Sequence, residues 1–435
     1  MLGRPDPGIA WAGERDQHRW ITGSDPSLGR NKPRLPRAAN NLQSPQRRGK
    51  AVAMNRHFRL CIMPCLLLVL ATASCLIAAT QHHVLEIGQP APDFKLPGVD
   101  GKTYSLADFA GSPLLAIVFT CNDCPTAQAY EDRLIQLQKD YKDRGVALLA
   151  ICANDPAALR LDELDFSDLS DSLDDMKIRA KDKSFNFPYL YDGDAQSAAL
   201  AYGPLVTPHV FIFDQARKLR FQGRIDNAEI GKVTSTDTRN ALDALLAGKP
   251  VPVATTHVFG CSTKWSEKRQ SAIDSLKKWD AEPVTLNTID AAGVAKFAKN
   301  DSNKLLFVNV WANWCDSCVE EMPELVTINR MYRDRDFEFV TISMDDPDQK
   351  AQALARLTRD HVAATNYLYN STDRDKLVEA LDPKKWHGPI PYSLLIAPGG
   401  RVIYRADGPI DPLEAKRAIV DYLGRTAAGR NGKQP

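Results

Sequence analysis

Two cysteine pairs carry the residue types and spacing for chemistry: Cys121 and Cys124 in "FTCNDCPTAQAY", and Cys315 and Cys318 in "VWANWCDSCVEEMPE". C-x-x-C admits three uses: half of a zinc site, a structural disulfide, or a dithiol that passes electron pairs. Zinc sites built from two such pairs close over roughly 15–20 residues, whereas 190 residues separate Cys124 from Cys315 and no His lies within a few residues of either pair. The spacing argues against zinc. As a staple, C-x-x-C closes too small a loop to restrict the unfolded chain much. As a reactive pair it has a physical rationale. At the first turn of a helix, Cys121 and Cys315 would each face unpaired backbone N–H groups and the positive end of the helix dipole. Both features favour the thiolate, which is the nucleophile. Cys124 and Cys318, one turn deeper, would then attack the mixed disulfide and release product.

The elements that must position these cysteines are legible around them. "LLAIVFT" (114–120) is a continuous apolar run, as a buried central strand should be. Tyr130, Leu134, Leu137 and Tyr141 then recur at helical spacing. "VALLAIC", "FPYLYDGDAQSAALAYG" and the hairpin "HVFIFDQARKLRFQGRID" complete one unit. The order returns near residue 300: strand "KLLFVNVW", a helix with Val319, Met322, Leu325, Val326 and Tyr332 on one side, strand "FEFVTISM", and the hairpin "YSLLIAPGGRVIYRADG" with a Gly-Gly turn. This predicts one α/β fold used twice, each a central mixed sheet flanked by helices. In both units a proline stands just before the hairpin, Pro208 after Thr207 and Pro391 after Ile390. An X-Pro bond that is cis at a strand start is uncommon and serves a purpose. Here this proline would lie beside the C-x-x-C and expose the preceding backbone to pair with an extended peptide.

The bulk numbers bound the rest. At 435 residues two or three domains are expected. Residues 1–59 hold 12 Lys/Arg against 4 Asp/Glu, leaving 43 against 50 in the remainder. A mildly acidic body argues against nucleic acid as a partner. Residues 1–53 lack any apolar period and are expected to be disordered, and translation is expected to begin at Met54. Residues 54–80 combine a basic start (Arg56, Arg59), an apolar stretch from Leu60 and small residues at Ala71 and Ala73, which predicts a signal peptide or membrane anchor; "TASC" also loosely matches a lipidation box ending at Cys75. The stretch "LDELDFSDLSDSLDDM" holds seven acidic residues in 161–176 without calcium-loop spacing, and is expected to be a solvated loop leading into a helix. Cys152 reads as a core residue, and Cys261 as a loop residue with a third redox thiol as the alternative. No metal or other cofactor is expected.

Strand, C-x-x-C, helix and pre-hairpin proline resemble the thioredoxin superfamily in both halves. "VWANWCDSCVEEMPEL" is similar to the TlpA-like, membrane-anchored branch, which includes cytochrome-maturation thioredoxins. That resemblance implies a helix-kinking role for Pro323 and a part in proton transfer and pKa tuning for Glu321, whose alternative reading is a solvated helix carboxylate; Glu320 beside it has no better reading. "IGQPAPDFKLPGVDGKTYSL", "FTCNDCPTAQAYEDRL", "TPHVFIFD" and "GCSTKW" resemble the AhpC/TSA-like redoxin group with "CNxCP". Peroxide-reducing redoxins need P-x-x-x-[ST]-x-x-C, and neither Cys124 (Cys121 and Ile117 upstream) nor Cys121 (Val118 and Leu114) supplies it. The expected organisation is therefore two tandem thioredoxin-fold domains, 84–265 redoxin-like and 281–425 TlpA-like, joined by a linker at 266–280 and ending in a disordered tail at 426–435.

The expected activity is thiol–disulfide exchange in the cell envelope (periplasm), with the membrane reached through the N-terminal segment. Cys121 and Cys315 would attack, Cys124 and Cys318 resolve, and Thr207, Pro208, Ile390 and Pro391 bind substrate. Partners would be disulfide-containing or dithiol proteins, apocytochrome c or an upstream membrane electron donor among them. The rival readings are a peroxide reductase in the first domain, fed by the second, and a metal-handling or protein-binding module of the same fold.

Overall fold

The computed structural model describes residues 82–426. The expected leader and anchor at 1–53 and 54–80, and all of the expected tail but Thr426, lie outside the described residues.

An antiparallel ribbon, β1 (Lys95–Pro97) and β2 (Thr103–Ser105), opens the first domain. β3 (Leu114–Phe119) is buried at every position, as its unbroken apolar run requires. On α1 (Pro125–Tyr141) the stripe of Tyr130, Leu134, Leu137 and Tyr141 is buried against the sheet. There follow β4 (Val146–Cys152), α2 (Leu173–Asp182), β5 (Tyr189–Tyr191), α3 (Ser197–Tyr202), β6 (Val206–Thr207), β7 (His209–Phe213), β8 (Leu219–Gly223) and α4 (Asp237–Leu246). The sheet runs β5-β4-β3-β7-β8, parallel through β5, β4 and β3 and antiparallel from β3 to β7 to β8. The Pro/Val-rich tail stays with this domain: Thr255 bridges to Gln222, and β9 (Cys261–Ser262) pairs with β6.

The segment read as a linker is structured. A 3₁₀ turn leads into α5 (Arg269–Asp280), which buries Ala272 and Trp279. The second domain comprises β10 (Asn287–Ile289), α6 (Ala291–Lys299), β11 (Leu305–Trp311), α7 (Asp316–Tyr332), β12 (Phe337–Ser343), α8 (Lys350–Arg359), β13 (Thr365–Tyr369), α9 (Arg374–Leu381), β14 (Tyr392–Ala397), β15 (Arg401–Asp407) and α10 (Pro412–Leu423). Its sheet runs β10-β13-β12-β11-β14-β15. Apart from the extra edge strand β10, the strand order and directions repeat those of the first domain.

The acidic stretch 161–176 corrects the expectation of a solvated loop. α2 does follow it, capped by Ser172, whose Oγ accepts from the Asp175 N–H at 3.2 Å. Yet Ser167, Asp168 and Asp171 are buried. Leu164, Phe166 and Leu169, interleaved among the acids, are buried too and carry the acids inward with them. Each buried acid is met by donors. Asp168 accepts from Arg179 on its own domain, and from Arg417 and Arg425 of the second domain. The same stretch accepts a hydrogen bond from the Tyr332 hydroxyl at the Ser167 carbonyl (2.7 Å) and from the Arg335 guanidinium at the Asp165 carbonyl (2.8 Å). It is thus the contact surface between the two domains.

Candidate functional site

In the second domain the chain leaves β11 at Trp311 and enters α7 at Asp316, with Cys315 as the residue that caps the helix. Cys315 Sγ accepts from the Cys318 N–H at 3.2 Å, so the sulfur lies on the helix's unpaired donors as the spacing predicted. Cys315 and Cys318 are joined as a disulfide. Cys318 is fully buried, and Cys315 is nearly so, at 8% exposure, beside the exposed Trp314. The Ile390 carbonyl lies 3.7 Å from Cys315 Sγ, immediately before Pro391, and Ile390–Pro391 is cis. Among the described residues no strand pairs with Ile390. Trp314 projects into solvent beside Cys315, with the Arg374 guanidinium over its ring. A groove of about 590 Å³ continues from there, lined by Asn313, Trp314, Asp345, Gln349, Arg356 and Arg359.

Glu321 points inward from α7, whereas Glu320 is exposed. Its carboxylate accepts from Asn309 Nδ2 on β11 and from the Ile410 N–H, both at 2.9 Å. Burial raises its pKa above the ordinary glutamate value, against the two donors, which act to lower it. Pro323 lies within α7.

The first domain arranges its cysteines differently, and here the sequence expectation fails. Cys124, not Cys121, caps the helix: its Sγ accepts from the Ala127 N–H at 3.4 Å, and α1 begins at Pro125. Proline is preorganised for the first helical position and has no N–H to lose, so the helix starts there and leaves Cys121 in the preceding loop. Neither sulfur is open to solvent. Cys121 is 3% exposed and Cys124 0%. Both are free thiols, packed against Thr207: Cys121 Sγ is 3.0 Å from Thr207 Oγ1, and Cys124 Sγ is 3.3 Å from the Thr207 carbonyl. Thr207–Pro208 is cis. His209 is buried against Phe211 and accepts from the Leu205 N–H at 3.3 Å; burial lowers its pKa to about 4, so the ring is neutral.

The two sulfurs titrate in opposite directions. Burial raises both, but at Cys124 it is overcome by hydrogen bonds from the Cys121 and Cys261 thiols and from the Ala127 and Cys261 N–H groups, which pull its pKa well below the ordinary value. Cys121 is pushed well above it by burial, by its bond to Cys124 and by the charges of Asp123 and Asp171. Of the two sulfurs, Cys124 is the one whose surroundings favour the thiolate.

Asp123 and Asp171 were missed in the sequence as parts of the site. Asp171 accepts from the N–H groups of Asn122 (2.6 Å) and Asp123 (3.3 Å) and from Asn154 Nδ2 (2.8 Å), so the acidic stretch locks the loop between the cysteines. Asp123 is pushed well above the ordinary carboxylate range by burial and the neighbouring Asp171, and it hydrogen-bonds both Asp171 and Cys121. Burial thus favours the protonated form of both carboxyls beside the Cys121 thiol. Cys121, Asp123 and Asp171 bring three ligand-type atoms within 4.8 Å of one another. Those atoms are engaged with one another and with Thr207, Asn122 and Asn154, which makes a hydrogen-bonded cluster. The signal was the alternation of Leu and Phe with Asp in 161–173, a pattern of burial rather than solvation. Cys152 is a core residue, as read.

Comparison with known proteins matches residues 87–222 to the AhpC/TSA family and residues 303–402 to a thioredoxin-like family. The thiol-disulfide oxidoreductase ResA of Oceanobacillus iheyensis is 30% identical over 132 residues, which are 30% of this chain and 60% of that protein. The chain thus spans less than two thirds of that relative. ResA of Geobacillus thermodenitrificans is 25% identical over 185 residues, 41% of this chain and 91% of that one. The solved structure of an uncharacterized conserved protein from Geobacillus kaustophilus is 36% identical and covers 42% of this chain and 94% of its own, with a TM-score of 0.38. The chain thus joins an AhpC/TSA-family domain to a thioredoxin-like domain, each carrying a C-x-x-C between the central strand and its helix.

Proposed function

We propose that the chain is a thiol–disulfide oxidoreductase that exchanges disulfides with proteins through Cys315 and Cys318, with Cys121 and Cys124 as a second, internal dithiol. The observation that carries this reading is Cys315 itself: a sulfur on the donors of a helix N-terminus, less deeply buried than Cys318, beside Ile390, with which no strand of the described residues pairs. In the reducing direction the Cys315 thiolate attacks a substrate disulfide, and the substrate segment lies in extended form along Ile390. Cys318 then attacks Cys315 Sγ, forming the enzyme disulfide and releasing the substrate thiol. Glu321, a carboxyl buried three residues after Cys318 on the same helix, takes the Cys318 proton as that sulfur becomes a nucleophile.

In the first domain the roles run opposite to the sequence expectation, with Cys124 as the nucleophile and Cys121 as its partner, since only Cys124 is stabilised as a thiolate. A peroxidase role there lacks support, because the sulfurs are buried and the proline and hydroxyl residues of a peroxide pocket are absent from the positions that would supply them. Export to the cell envelope is supported by the basic–apolar–small pattern of residues 54–80. Among the described residues no helix is long and apolar enough to cross a membrane. The substrates we propose are envelope proteins with disulfides or dithiols; apocytochrome c and a membrane electron donor fit that chemistry.

The test is reduction of a disulfide-bonded peptide by the pre-reduced full chain. Cys315→Ser should abolish turnover, and Cys318→Ser should trap a mixed disulfide on Cys315. Turnover that survives Cys315→Ser refutes the reading, and peroxide consumption abolished by Cys124→Ser would favour the peroxidase instead.

A further inference from the structure

The backbone edge beside the first-domain dithiol is not free. β9 lies on it, antiparallel to β6, with Thr207 opposite Cys261 and Val206 opposite Ser262. In the second domain no strand of the described residues pairs with the equivalent edge at Ile390. The chain's own tail therefore occupies the place where an extended substrate would pair, and it brings a cysteine to the position of the scissile sulfur. The Cys261 N–H donates to Cys124 Sγ at 3.4 Å, and the two side chains are hydrogen-bonded as well. Of the three sulfurs only Cys261 is partly exposed, while Cys121 and Cys124 are sealed beneath it.

We propose that Cys261 is a relay thiol through which the buried Cys121–Cys124 pair exchanges electrons with protein disulfides. The proposal rests on the disulfide-exchange reading above and adds the route by which its inner dithiol is reached. In the reducing direction Cys261, whose pKa is held well above the ordinary value by its hydrogen bond to Cys124 and by burial, hands its proton to the Cys124 sulfur as it attacks a partner protein's disulfide, and that proton passes on to the first partner sulfur released, which restores the Cys124 thiolate. The Cys124 thiolate attacks Cys261 Sγ: the Cys124–Cys261 bond forms, and the second partner sulfur leaves as thiolate and takes a proton from solvent. Cys121 then attacks Cys124 Sγ, closing the Cys121–Cys124 disulfide, and Cys261 leaves with the proton given up by Cys121, passed through the hydrogen-bonded Asp123. Two electrons have moved from the dithiol to the partner disulfide, and Cys261 is restored. The burial of Cys121 keeps it protonated until that last step, and the low pKa of Cys124 makes it the attacking sulfur in the second.

The experiment is disulfide mapping in the full chain. Cys121→Ser, oxidised with diamide, alkylated and digested without reductant, should yield a peptide linking Cys124 to Cys261 as the main product of this domain. In a second arm, the rate at which a disulfide-bonded peptide oxidises Cys121–Cys124 should fall at least tenfold in Cys261→Ser. Absence of the Cys124–Cys261 link in Cys121→Ser overturns the proposal, as does a Cys261→Ser rate equal to wild type. Should Cys261→Ser fail to fold, the mapping arm decides alone. Cycling of Cys315–Cys318, followed in the wild-type digest, reports separately on the oxidoreductase reading: cycling there without any Cys124–Cys261 link overturns the relay and leaves that reading standing.

Discussion

Gly260 precedes Cys261 and adopts φ +140°, a conformation that side chains other than glycine rarely take. A Cβ built there would sit 2.0 Å from the Thr207 carbonyl oxygen and 2.9 Å from its carbon. An ordinary C···O contact needs about 3.3 Å, so Gly260→Ala forces β9 and β6 apart by more than ~1 Å. The Cys261 N–H to Cys124 Sγ contact, already at 3.4 Å, cannot survive such a shift. With a backbone cost of about 1–3 kcal/mol for the disfavoured φ loaded onto the closed state, local opening should rise roughly 5- to 150-fold. The assay is the labelling rate of Cys121 and Cys124 with a maleimide, resolved by peptide mapping. Gly248→Ala is the control, because Gly248 also has positive φ (+68°) but nothing within 4 Å of the added carbon. It should leave labelling unchanged. Equal labelling rates in the two variants would refute the claim that the tail strand seals the dithiol.

Three further outcomes follow from the site. Burial raises the folded-state pKa values of Asp123 and Asp171 above the unfolded 3.8, so the folded chain binds extra protons and stability falls as pH climbs above about 4; Asp171→Asn should flatten that slope in urea midpoints taken from pH 4.5 to 8, and an unchanged slope counts against the protonated carboxyls. Asp168 is the opposite case: burial acts to raise its pKa, but Arg425 and Arg179 pull it below 3.8, so its contribution is present above about pH 4 and lost as pH falls through the folded value. Asp168→Ala, which leaves the buried Arg179 with Glu131 at 3.7 Å as its remaining carboxylate, should cost about 3–5 kcal/mol at pH 7, with the gap to wild type closing in acid; denaturant melts at pH 7 and pH 3 check both. Glu321→Ala leaves the buried Ile410 N–H without its acceptor, for a loss of about 1–3 kcal/mol, and by removing an anion it should move Cys318 alkylation in the reduced chain to lower pH.

The framework was readable because it is local. Uninterrupted apolar runs became β3 and β11, the stripe from Tyr130 to Tyr141 became the inner face of α1, and the Gly-Gly turn became the hairpin between β14 and β15. Cys315 lies where its spacing put it, since α7 begins at the next residue. "CNDC" misled because the helix waits for Pro125, and the proline was itself the available clue. The remainder of the first site is assembled over long separations that no periodicity records. Asp171 reaches back 49 residues to the Asn122 N–H, and Cys261 finds Thr207 through a strand of only two residues. Acidic character suggested water. The fold instead supplied arginines and backbone donors.

The three-arginine site at Asp168 bears on how this protein can be taken apart. Two of its cations, Arg417 and Arg425, come from beyond the segment that an isolated first half would contain. Expressed alone, that half keeps Arg179 and loses the others, and the carbonyls of Asp165 and Ser167 lose Arg335 and Tyr332. The stretch so exposed is the one that also clamps the cysteine loop through Asp171. Fragments cut near residue 265 should therefore show looser thiol chemistry than the intact chain, and redox constants measured on them would describe the fragment.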